Sequence, residues 1–393
     1  MKELRAFFEM TCLTLMPLLV LFLALYGPLR GGGERGTGPA SPPPTAVPVP
    51  AAAASASPAV PAATAQPTLP PSPPPSPAGE EAPAETGTPE EAPEEEGEAA
   101  AVLDPRTRDG DVTVDILFES RVESMSLRDY LLGVVAAEMP ASFEPAALEA
   151  QAVAARTDTF YRLLVARPHR DAACCTNPGC CKAYLGPEEL KRRWGEDYDR
   201  WMEKIAAAVD ATDGEVLTWE GAPIFAAFHA SSYGRTEASE NVWVAALPYL
   251  RSVPTGETEA DVPSFRSTVS FPAEELRSIL LEKVPGAELP EDPAEWLREV
   301  RYTDSGRVLS LEAGGVTLSG SALRSLLGLR SASVRWSLEE GTFTFETAGW
   351  GHGVGMSQYG AEVMAKEGSD WEEILLHYYP GAELSDLGEV FPG

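Results

Sequence analysis

The chain has 393 residues and a formal net charge of −30 at pH 7. Nucleic-acid-binding proteins need a clustered basic face that displaces counterions from phosphates, and the sequence has no basic stripe, which excludes that class. Residues 1–28 are hydrophobic, residues 29–105 are rich in Pro, Ala, Ser and Glu, and branched apolar and aromatic residues recur from 106 to 393. Only the last region has the composition of a folded domain.

The N-terminal apolar run extends from Met10 to Tyr26 without a charged residue, and Lys2 and Arg5 precede it. This length is just sufficient for a transmembrane helix, and the basic flank would stay in the cytoplasm. A cleaved signal peptide is the alternative, although Tyr26-Gly-Pro is a poor small-x-small cleavage site. We expect an uncleaved, single-pass signal anchor in the cell membrane, with the folded domain on the extracytoplasmic, cell-wall side. Residues 29–105 then form an extended, disordered linker, because Pro-rich segments are semi-rigid and Glu-rich segments repel themselves.

A glutamate occupies the apolar stripe of the first predicted helix. Ser126 is a suitable N-cap for this helix, and Glu138 continues the three- and four-residue spacing of its apolar positions. Pro140 ends the helix just after it. Burial and the negative end of the helix dipole both raise the pKa of a carboxyl group placed there, which suits a general acid. The alternative is a glutamate that forms a salt bridge with Arg156 or another basic group.

The second predicted helix has a narrow face of small residues suited to close packing. Gln151 and Arg156 lie on this helix and either point into a cleft or bridge to neighbouring elements. The sequence pattern leaves both alternatives open.

Four of the five cysteines are close together in one loop: Cys174, Cys175, Cys180 and Cys181, with His169 just before them. Two disulfides between the cysteine pairs, a zinc site and free thiols are the three alternatives. The short spacing and the histidine favour zinc. Such a zinc ion would be structural, because four protein ligands leave no open position for a water nucleophile.

Two polar loops carry further candidates. The first follows a predicted buried strand at 224–228 and contains His229, Ser231, Ser232 and Thr236. A Ser/His hydrolase with Ser231 or Ser232 as nucleophile is conceivable, but the Gly-x-Ser-x-Gly elbow is missing from the sequence. The second loop, residues 349–361, has four glycines within seven residues, and their spacing does not match the dinucleotide-binding fingerprint. Its aromatic and polar residues suit sugar binding, and a tight structural turn is the alternative.

The pattern as a whole predicts an α+β fold, a single cleft-bearing globular region with a flanking lobe. Helices are predicted at 126–139, 146–167, 187–210 and 360–367, and strands at 112–118, 215–219, 224–228, 307–311 and 342–347. Residues 255–340 are expected to form a less constrained insert beside the cleft, with helical stretches at 272–282 and 321–327.

Four segments, taken in order, resemble the SpoIID/LytB family: Gly133–Pro140, Leu148–Thr157, the His/Cys loop that ends at Ala183-Tyr184, and Gly351–Ala361. The resemblance covers about residues 110–393. It implies a sporulation protein of engulfment, a lytic transglycosylase that cleaves between N-acetylmuramic acid and N-acetylglucosamine and leaves a 1,6-anhydro end. It further implies glycan strands stripped of stem peptides as substrate, and an amidase/endopeptidase partner that strips them. The catalytic glutamate of the family falls on Glu138.

The resemblance also implies a ligand set for zinc, namely His169, Cys175, Cys180 and Cys181. Cys180 stands where the family has a second histidine, and Cys174 is an additional thiol that could compete with Cys175. Tyr233 replaces a family glycine and resists a positive φ, so the roles of the 229–236 loop stay open. A wall-binding amidase enhancer without catalysis is the second hypothesis, and the intact Glu138 argues against it.

Together these arguments predict one catalytic residue, Glu138, and ten residues that bind substrate. The substrate-binding residues are Gln151, Arg156, His229, Ser231, Ser232, Thr236, His352, Ser357, Gln358 and Tyr359.

Overall fold

The computed structural model describes residues 107–243 and 245–390. The predicted anchor at 1–28 and linker at 29–105 lie outside these residues. Within the described ranges, no helix is both long enough and apolar enough to cross a bilayer. The elements form a mixed α+β fold with two large hydrophobic cores, as predicted for a domain with a flanking lobe.

The helices and strands alternate along the whole described chain. The helices are α1 (Leu127–Glu138), α2 (Pro145–Tyr161), α3 (Pro187–Trp194), α4 (Tyr198–Ala211), α5 (Ala273–Lys283), α6 (Gly320–Leu327), α7 (Gln358–Lys366) and α8 (Trp371–Tyr378). The strands are β1 (Thr113–Phe118), β2 (Arg121–Ser126), β3 (Cys174–Cys175), β4 (Glu215–Trp219), β5 (Ala222–Pro223), β6 (Phe228–His229), β7 (Arg266–Pro272), β8 (Leu297–Tyr302), β9 (Val308–Ala313), β10 (Val316–Ser319), β11 (Val334–Glu339), β12 (Thr342–Ala348), β13 (Met356–Ser357) and β14 (Glu383–Asp386).

The first lobe is built around α2, which is buried on nearly every side. From Ala147 to Phe160, only Glu149 retains appreciable exposure. A helix with so many small buried residues is typical of a core element, because neighbouring elements can approach its backbone closely. Helices α1, α4, α7 and α8 and strand β4 pack around it. This arrangement fixes α1 and the start of α7 on one framework.

Three small sheets of the first lobe connect distant segments. Strand β1 pairs antiparallel with β2 and parallel with β3, which attaches the cysteine-rich loop to the start of the domain. Strand β6 pairs parallel with β13 and joins the two polar loops, with Ser357 opposite His229. Strand β14 pairs with β4, which also pairs with β5.

The second lobe has its own core between two antiparallel sheets and two helices. The sheets have the strand orders β11-β12-β7 and β10-β9-β8, and α5 and α6 pack against them. Leu276, Leu311, Leu323 and Phe345 are almost completely buried in its centre. These sheets and helices give the lobe more regular structure than the less constrained insert expected at 255–340, and its central strand β12 lies beyond residue 340.

Three predicted elements need correction. The segment 224–228 is buried, but only its end belongs to a strand, because Ile224 and Ala227 make their backbone hydrogen bonds with Leu217 and Phe225. The helix predicted at 187–210 is divided at Gly195, whose φ of 55° ends α3. The helix predicted at 146–167 ends as a π-helical turn at Arg162–Ala166.

Candidate active site

Helix α1 carries Glu138 at its C-terminal end. The Ser126 hydroxyl accepts a hydrogen bond of 3.1 Å from a backbone N–H in the first turn, as expected for an N-cap. Leu127, Leu131 and Val134 are completely buried, and each such side chain stabilises the fold by about 1.5–3 kcal/mol relative to exposure. Their packing fixes the helix. Glu138 lies on the same face of the helix, and its own side chain is partly exposed.

The Glu138 carboxyl group titrates near neutrality. Burial is the main cause that raises its pKa to about 7, and the charge of Asp158 acts in the same direction. A hydrogen bond of 2.7 Å from the Ala183 backbone N–H to Oε1 and the charge of Lys182 oppose this shift. The predicted direction of the shift is confirmed. In the described part of the chain, Oε2 has no hydrogen-bond partner, so a proton on this oxygen can be given to a ligand.

Asp158 is the carboxylate whose charge acts on Glu138, and two cationic side chains already donate hydrogen bonds to it. It is 2% exposed and accepts hydrogen bonds from Lys182 Nζ at 2.5 Å and from Arg162 Nε at 2.8 Å. A buried carboxylate that balances two cations has little nucleophilic character, and a substrate cannot reach it. Asp158 therefore holds Lys182, whose charge acts on Glu138.

The predicted metal ligands are brought together. The ligand atoms of His169, Cys175, Cys180 and Cys181 all lie within 4.8 Å of one another. His169 Nε2 is 3.3 Å from Cys181 Sγ and 3.6 Å from Cys180 Sγ, and the two sulfurs are 3.8 Å apart. Tetrahedral zinc, with bonds of about 2.3 Å to sulfur and about 2.0 Å to nitrogen, separates its ligand atoms by roughly 3.5–3.8 Å. The donor set therefore fits zinc in its chemistry, and the distances among His169, Cys180 and Cys181 are close to this spacing.

Cys174 is not one of the four residues whose possible ligand atoms lie within 4.8 Å of one another, although its thiol contacts that of Cys181. It is fully buried, pairs with Ile116 of β1 and has its Sγ 3.5 Å from Lys182 Nζ. All four cysteines of the loop are unlinked thiols. Lys182 directly follows the last ligand, and Ala183 donates to Glu138, so the cysteine loop forms one wall of the glutamate's surroundings.

The two polar loops pack against each other through buried polar contacts. His229 Nε2 lies 2.6 Å from Ser232 Oγ, and its Nδ1 lies 3.2 Å from the Val354 carbonyl oxygen. The carbonyl can only accept, so Nδ1 carries the proton and Nε2 accepts from the Ser232 hydroxyl. Burial lowers the pKa of His229 well below its usual range, in agreement with a neutral ring. The contact between His229 and the Val354 carbonyl oxygen joins the two loops.

Glu257 also joins these loops, and sequence reasoning missed it. Its Oε1 accepts hydrogen bonds from the Ser232 backbone N–H at 2.7 Å and the Ser357 hydroxyl at 2.6 Å. Glu257 is 4% exposed. A single glutamate in an irregular segment has no periodicity or spacing that would reveal such a role.

A strip of partly exposed rings runs from the end of α2 to the glycine-rich loop. The ring centroids of Tyr161 and Phe225 are 5.4 Å apart, those of Phe225 and Trp243 are 5.2 Å apart, and those of Trp243 and His352 are 5.2 Å apart. Arg162, which contacts Asp158, also lies over the Phe225 ring. Flat apolar surfaces of this kind suit the faces of sugar rings. Phe225 was missed because the apolar run around it was interpreted as a buried strand.

The ten predicted substrate-binding residues divide into two groups. Only His352 and Tyr359 are partly exposed, and their contact with a ligand stays a prediction. The others are buried, and their contact with a ligand likewise stays a prediction: Gln151, Arg156, His229, Ser231, Ser232, Thr236, Ser357 and Gln358. Most of them form hydrogen bonds in the interior, as in the bond of 3.1 Å from Gln358 to Gln151, whereas the Ser231 hydroxyl has no partner among the described residues.

We expect Gly355→Ala to destabilise the protein far more than Gly234→Ala. Both glycines have a positive φ, 71° and 77°, so alanine at either position carries a backbone penalty of about 1–2 kcal/mol. At Gly355 the new Cβ would lie 1.9 Å from the Ala227 carbonyl oxygen, whereas at Gly234 it would have nothing within 4 Å. We expect a loss of about 3 kcal/mol or more for Gly355→Ala, because the backbone overlap adds to the first penalty. Urea unfolding of both variants measures the difference, and equal losses would contradict the tight contact.

Comparison with known proteins gives consistent matches. A family model described as SpoIID, stage II sporulation protein, matches residues 119–219. Stage II sporulation protein D of Bacillus amyloliquefaciens is 38% identical over 289 residues, which cover 72% of this chain and 81% of that protein. The protein of the same name from Bacillus subtilis (strain 168) is 39% identical over 268 residues, 67% of this chain and 76% of that protein. The amidase enhancer of Bacillus subtilis (strain 168) is 27% identical over 313 residues, 65% of this chain and 40% of that protein.

Proposed function

The chain belongs to the SpoIID family of stage II sporulation proteins, and on that premise we propose that it is a lytic transglycosylase of peptidoglycan. Its substrate would be glycan strands from which an amidase has removed the stem peptides. The observation that carries the proposal is Glu138, a partly exposed carboxyl group with a pKa of about 7 and one unpartnered oxygen. The strip of rings that ends at His352 supports it as a surface for sugars.

In the proposed mechanism Glu138 acts twice. It first gives its proton to the glycosidic oxygen, and the bond between that oxygen and C1 of the muramic residue breaks. The C6 hydroxyl of the same residue then bonds to C1, and its proton passes to Glu138, which restores the acid. Because the attacking hydroxyl belongs to the substrate, the reaction is intramolecular and has a high effective concentration.

The surroundings of Glu138 favour this mechanism over hydrolysis. Hydrolytic glycosidases need a second carboxylate, about 5–9.5 Å from the first, as nucleophile or as base for water. Asp158, the neighbouring carboxylate that acts on Glu138, is buried and bound to Lys182 and Arg162. The intramolecular reaction needs no second carboxylate, because the attacking hydroxyl belongs to the substrate.

The mass of the products tests the proposal. Full-length protein is incubated with purified glycan strands free of stem peptides, and the fragments are weighed. We expect each fragment with a new muramic end to be lighter by one water than the corresponding hydrolytic fragment. Fragments of hydrolytic mass would contradict the mechanism, and binding without cleavage would favour an enhancer role, as the similarity to the amidase enhancer suggests.

We also propose that His169, Cys175, Cys180 and Cys181 hold a structural zinc ion, since their donor atoms are of the types that zinc binds and lie within 4.8 Å of one another. Bound zinc would cross-link the loop. Lys182 and Ala183, the residues of this loop that act on Glu138, are next to the last ligand.

The zinc content of alanine variants tests this assignment. We expect one equivalent of zinc in the parent and in Cys174→Ala, which alters a buried thiol outside the ligand set. In Cys175→Ala and Cys180→Ala the affinity for zinc should fall sharply, because three ligands remain. Metal analysis after dialysis against a weak chelator measures the difference. Loss of zinc from Cys174→Ala with retention in Cys175→Ala would reverse the assignment.

A further inference from the structure

A buried lysine lies one residue before the backbone group that binds Glu138. Lys182 is 2% exposed, and its Nζ donates a hydrogen bond of 2.5 Å to Asp158 Oδ2. The same Nζ lies 3.5 Å from Cys174 Sγ and 6.0 Å from the centroid of the Tyr130 ring. These contacts come from α2, β3 and α1, so the ammonium group is held from three sides.

The chain on both sides of this backbone group is anchored. Ala183 donates the hydrogen bond of 2.7 Å from its N–H to Glu138 Oε1. Tyr184, the next residue, stacks on Tyr130 with ring centroids 5.9 Å apart. Because the peptide between Lys182 and Ala183 is planar, the fixed lysine limits the direction in which this N–H can point. The position of the Glu138 carboxyl group therefore depends on Lys182.

Lys182 also acts on Glu138 through its charge. Burial raises the pKa of Glu138 to about 7, whereas the Ala183 N–H and the charge of Lys182 oppose this rise. The charge of Asp158 adds to the rise of this pKa. The two influences that favour the ionised carboxylate are thus the lysine and the N–H that follows it.

We propose that Lys182 is a positioning residue for Glu138, which holds the Ala183 N–H against Oε1 and stabilises the carboxylate that forms when the acid gives up its proton. This inference rests on the proposed function and deepens it. Glu138 has to release a proton in the first step and take one up in the second, and such a group works best when both forms are accessible. Burial alone favours the protonated form. Lys182 itself is enclosed by the protein, so it acts through Glu138 and not on the substrate.

Titratable side chains of α1, α2 and the cysteine loop surround Lys182. They are Asp158, Arg162, Tyr130, Tyr184, Cys174 and Cys181. Burial raises the pKa of both phenols, so they are neutral at pH 7. Arg162 offers a matched control, because its Nε donates a hydrogen bond of 2.8 Å to the same Asp158 oxygen as Lys182, but it is not attached to the Ala183 peptide.

The test follows the ionisation of Glu138 itself, without substrate. Full-length protein with isotope-labelled glutamate carboxyl groups is titrated by NMR at equal zinc content, and the Glu138 signal is identified by its absence in Glu138→Gln. Lys182→Met keeps much of the side chain's length but removes its charge. We expect the midpoint to rise from about 7 by roughly half to one pH unit, as for a cation lost from several ångströms away. In Arg162→Met the midpoint should stay unchanged.

Cleavage of peptide-free glycan gives a second readout. In Lys182→Met the alkaline limb of kcat/KM should move upward by the same amount as the midpoint of Glu138. KM should stay unchanged, because the buried lysine does not touch the strand. A lysine that only stabilises the fold would leave the limb where it is.

The outcomes separate this role from the proposed function. A midpoint that stays at about 7 in folded Lys182→Met, or that rises equally in Arg162→Met, would overturn the inference. Where the single variant does not fold, Asp158→Asn/Lys182→Met removes both buried charges. Its midpoint should also rise, but less, because the influence of Asp158 is lost as well, and no rise there would equally overturn the inference. A protein with the expected midpoints that does not cleave glycan would contradict the proposed function and leave the action of Lys182 on Glu138 standing.

Discussion

Replacement of Glu138 by glutamine is expected to abolish glycan cleavage and to leave the fold intact. Glutamine keeps an oxygen that can accept the hydrogen bond from the Ala183 backbone N–H, but it has no proton to give. General acid–base catalysis contributes about 10²–10⁴-fold to each step, and here one group serves both steps. We expect kcat to fall by roughly 10³-fold or more. Timed digestion of peptide-free glycan strands measures it, with the exposed Glu203→Gln as a control of the same chemistry.

The pH dependence of the parent follows from the same group. Since the pKa of Glu138 is about 7, the protonated acid predominates below pH 7 and decreases above it. We expect kcat/KM to fall about tenfold per pH unit on the alkaline side. A rate that stays constant between pH 7 and 9, or a Glu138→Gln variant with more than a tenth of the parent's activity, would show that another group is the acid.

The stability of the folded parent should also fall as the pH rises through this range. The folded protein holds the Glu138 proton more tightly than the unfolded chain does, since burial raises the pKa from 4.5 to about 7. The protonated Glu138 side chain therefore makes its full contribution to the free energy of unfolding below pH 4.5, and this contribution is lost as the pH rises through 7. Glutamine does not ionise, so Glu138→Gln should be more stable than the parent at pH 8, by up to about 3 kcal/mol. Urea unfolding at pH 5 and pH 8 tests this, and a variant less stable than the parent at pH 8 would contradict it.

The sequence reveals those parts of the site that depend on local spacing. Glu138 stands out because it continues an apolar stripe with a period of three to four residues, and the proposed metal ligands because they lie within one short loop. In both cases the chemistry depends on neighbours in the chain. The fold class and the flanking lobe could be predicted for the same reason, since periodicity is a local property.

The remainder of the site depends on contacts between distant segments. Glu257 reaches Ser232 and Ser357, which are 25 and 100 residues away in the chain. Gln151 meets Gln358 at a separation of 207 residues. In the sequence, polar loop residues that face a cleft look the same as those that form hydrogen bonds with one another in the protein interior. Only the packing of the two loops shows that most of these polar side chains support the site from within.

Arg156 is a polar residue of this interior kind, and its replacement is the second change for which we expect a large effect, a loss of stability. Its guanidinium forms two hydrogen bonds with Asp109, Nε to Oδ1 at 2.7 Å and Nη2 to Oδ2 at 2.6 Å, and a third with the Glu215 carbonyl oxygen at 3.0 Å. Both side chains of the pair are at most 1% exposed. The contact joins the start of the described domain to α2. Removal of one partner leaves a buried charge without its counterion.

We expect Asp109→Ala or Arg156→Ala to destabilise the protein by about 3–5 kcal/mol. The double variant Asp109→Leu/Arg156→Met should lose much less than the sum of the two single losses, because an apolar pair leaves no uncompensated charge. Burial already raises the pKa of Asp109 even though Arg156 opposes this, so desolvation of the pair is substantial. Urea unfolding of the parent, the single variants and the double variant gives the coupling energy. Additive losses would mean that the two side chains act independently.

The same variants decide whether Arg156 contacts the substrate, as its sequence position suggested. A folded Asp109→Leu/Arg156→Met protein lacks the guanidinium but keeps α2, and therefore the framework that positions Glu138. If Arg156 is only an interior ion-pair partner, KM and kcat for peptide-free glycan should stay within about twofold of the parent once the folded fraction is taken into account. A selective increase in KM would instead mean that α2 moves to expose this residue when a strand binds. The buried geometry favours the first outcome, because the guanidinium is already fully used by Asp109 and the backbone.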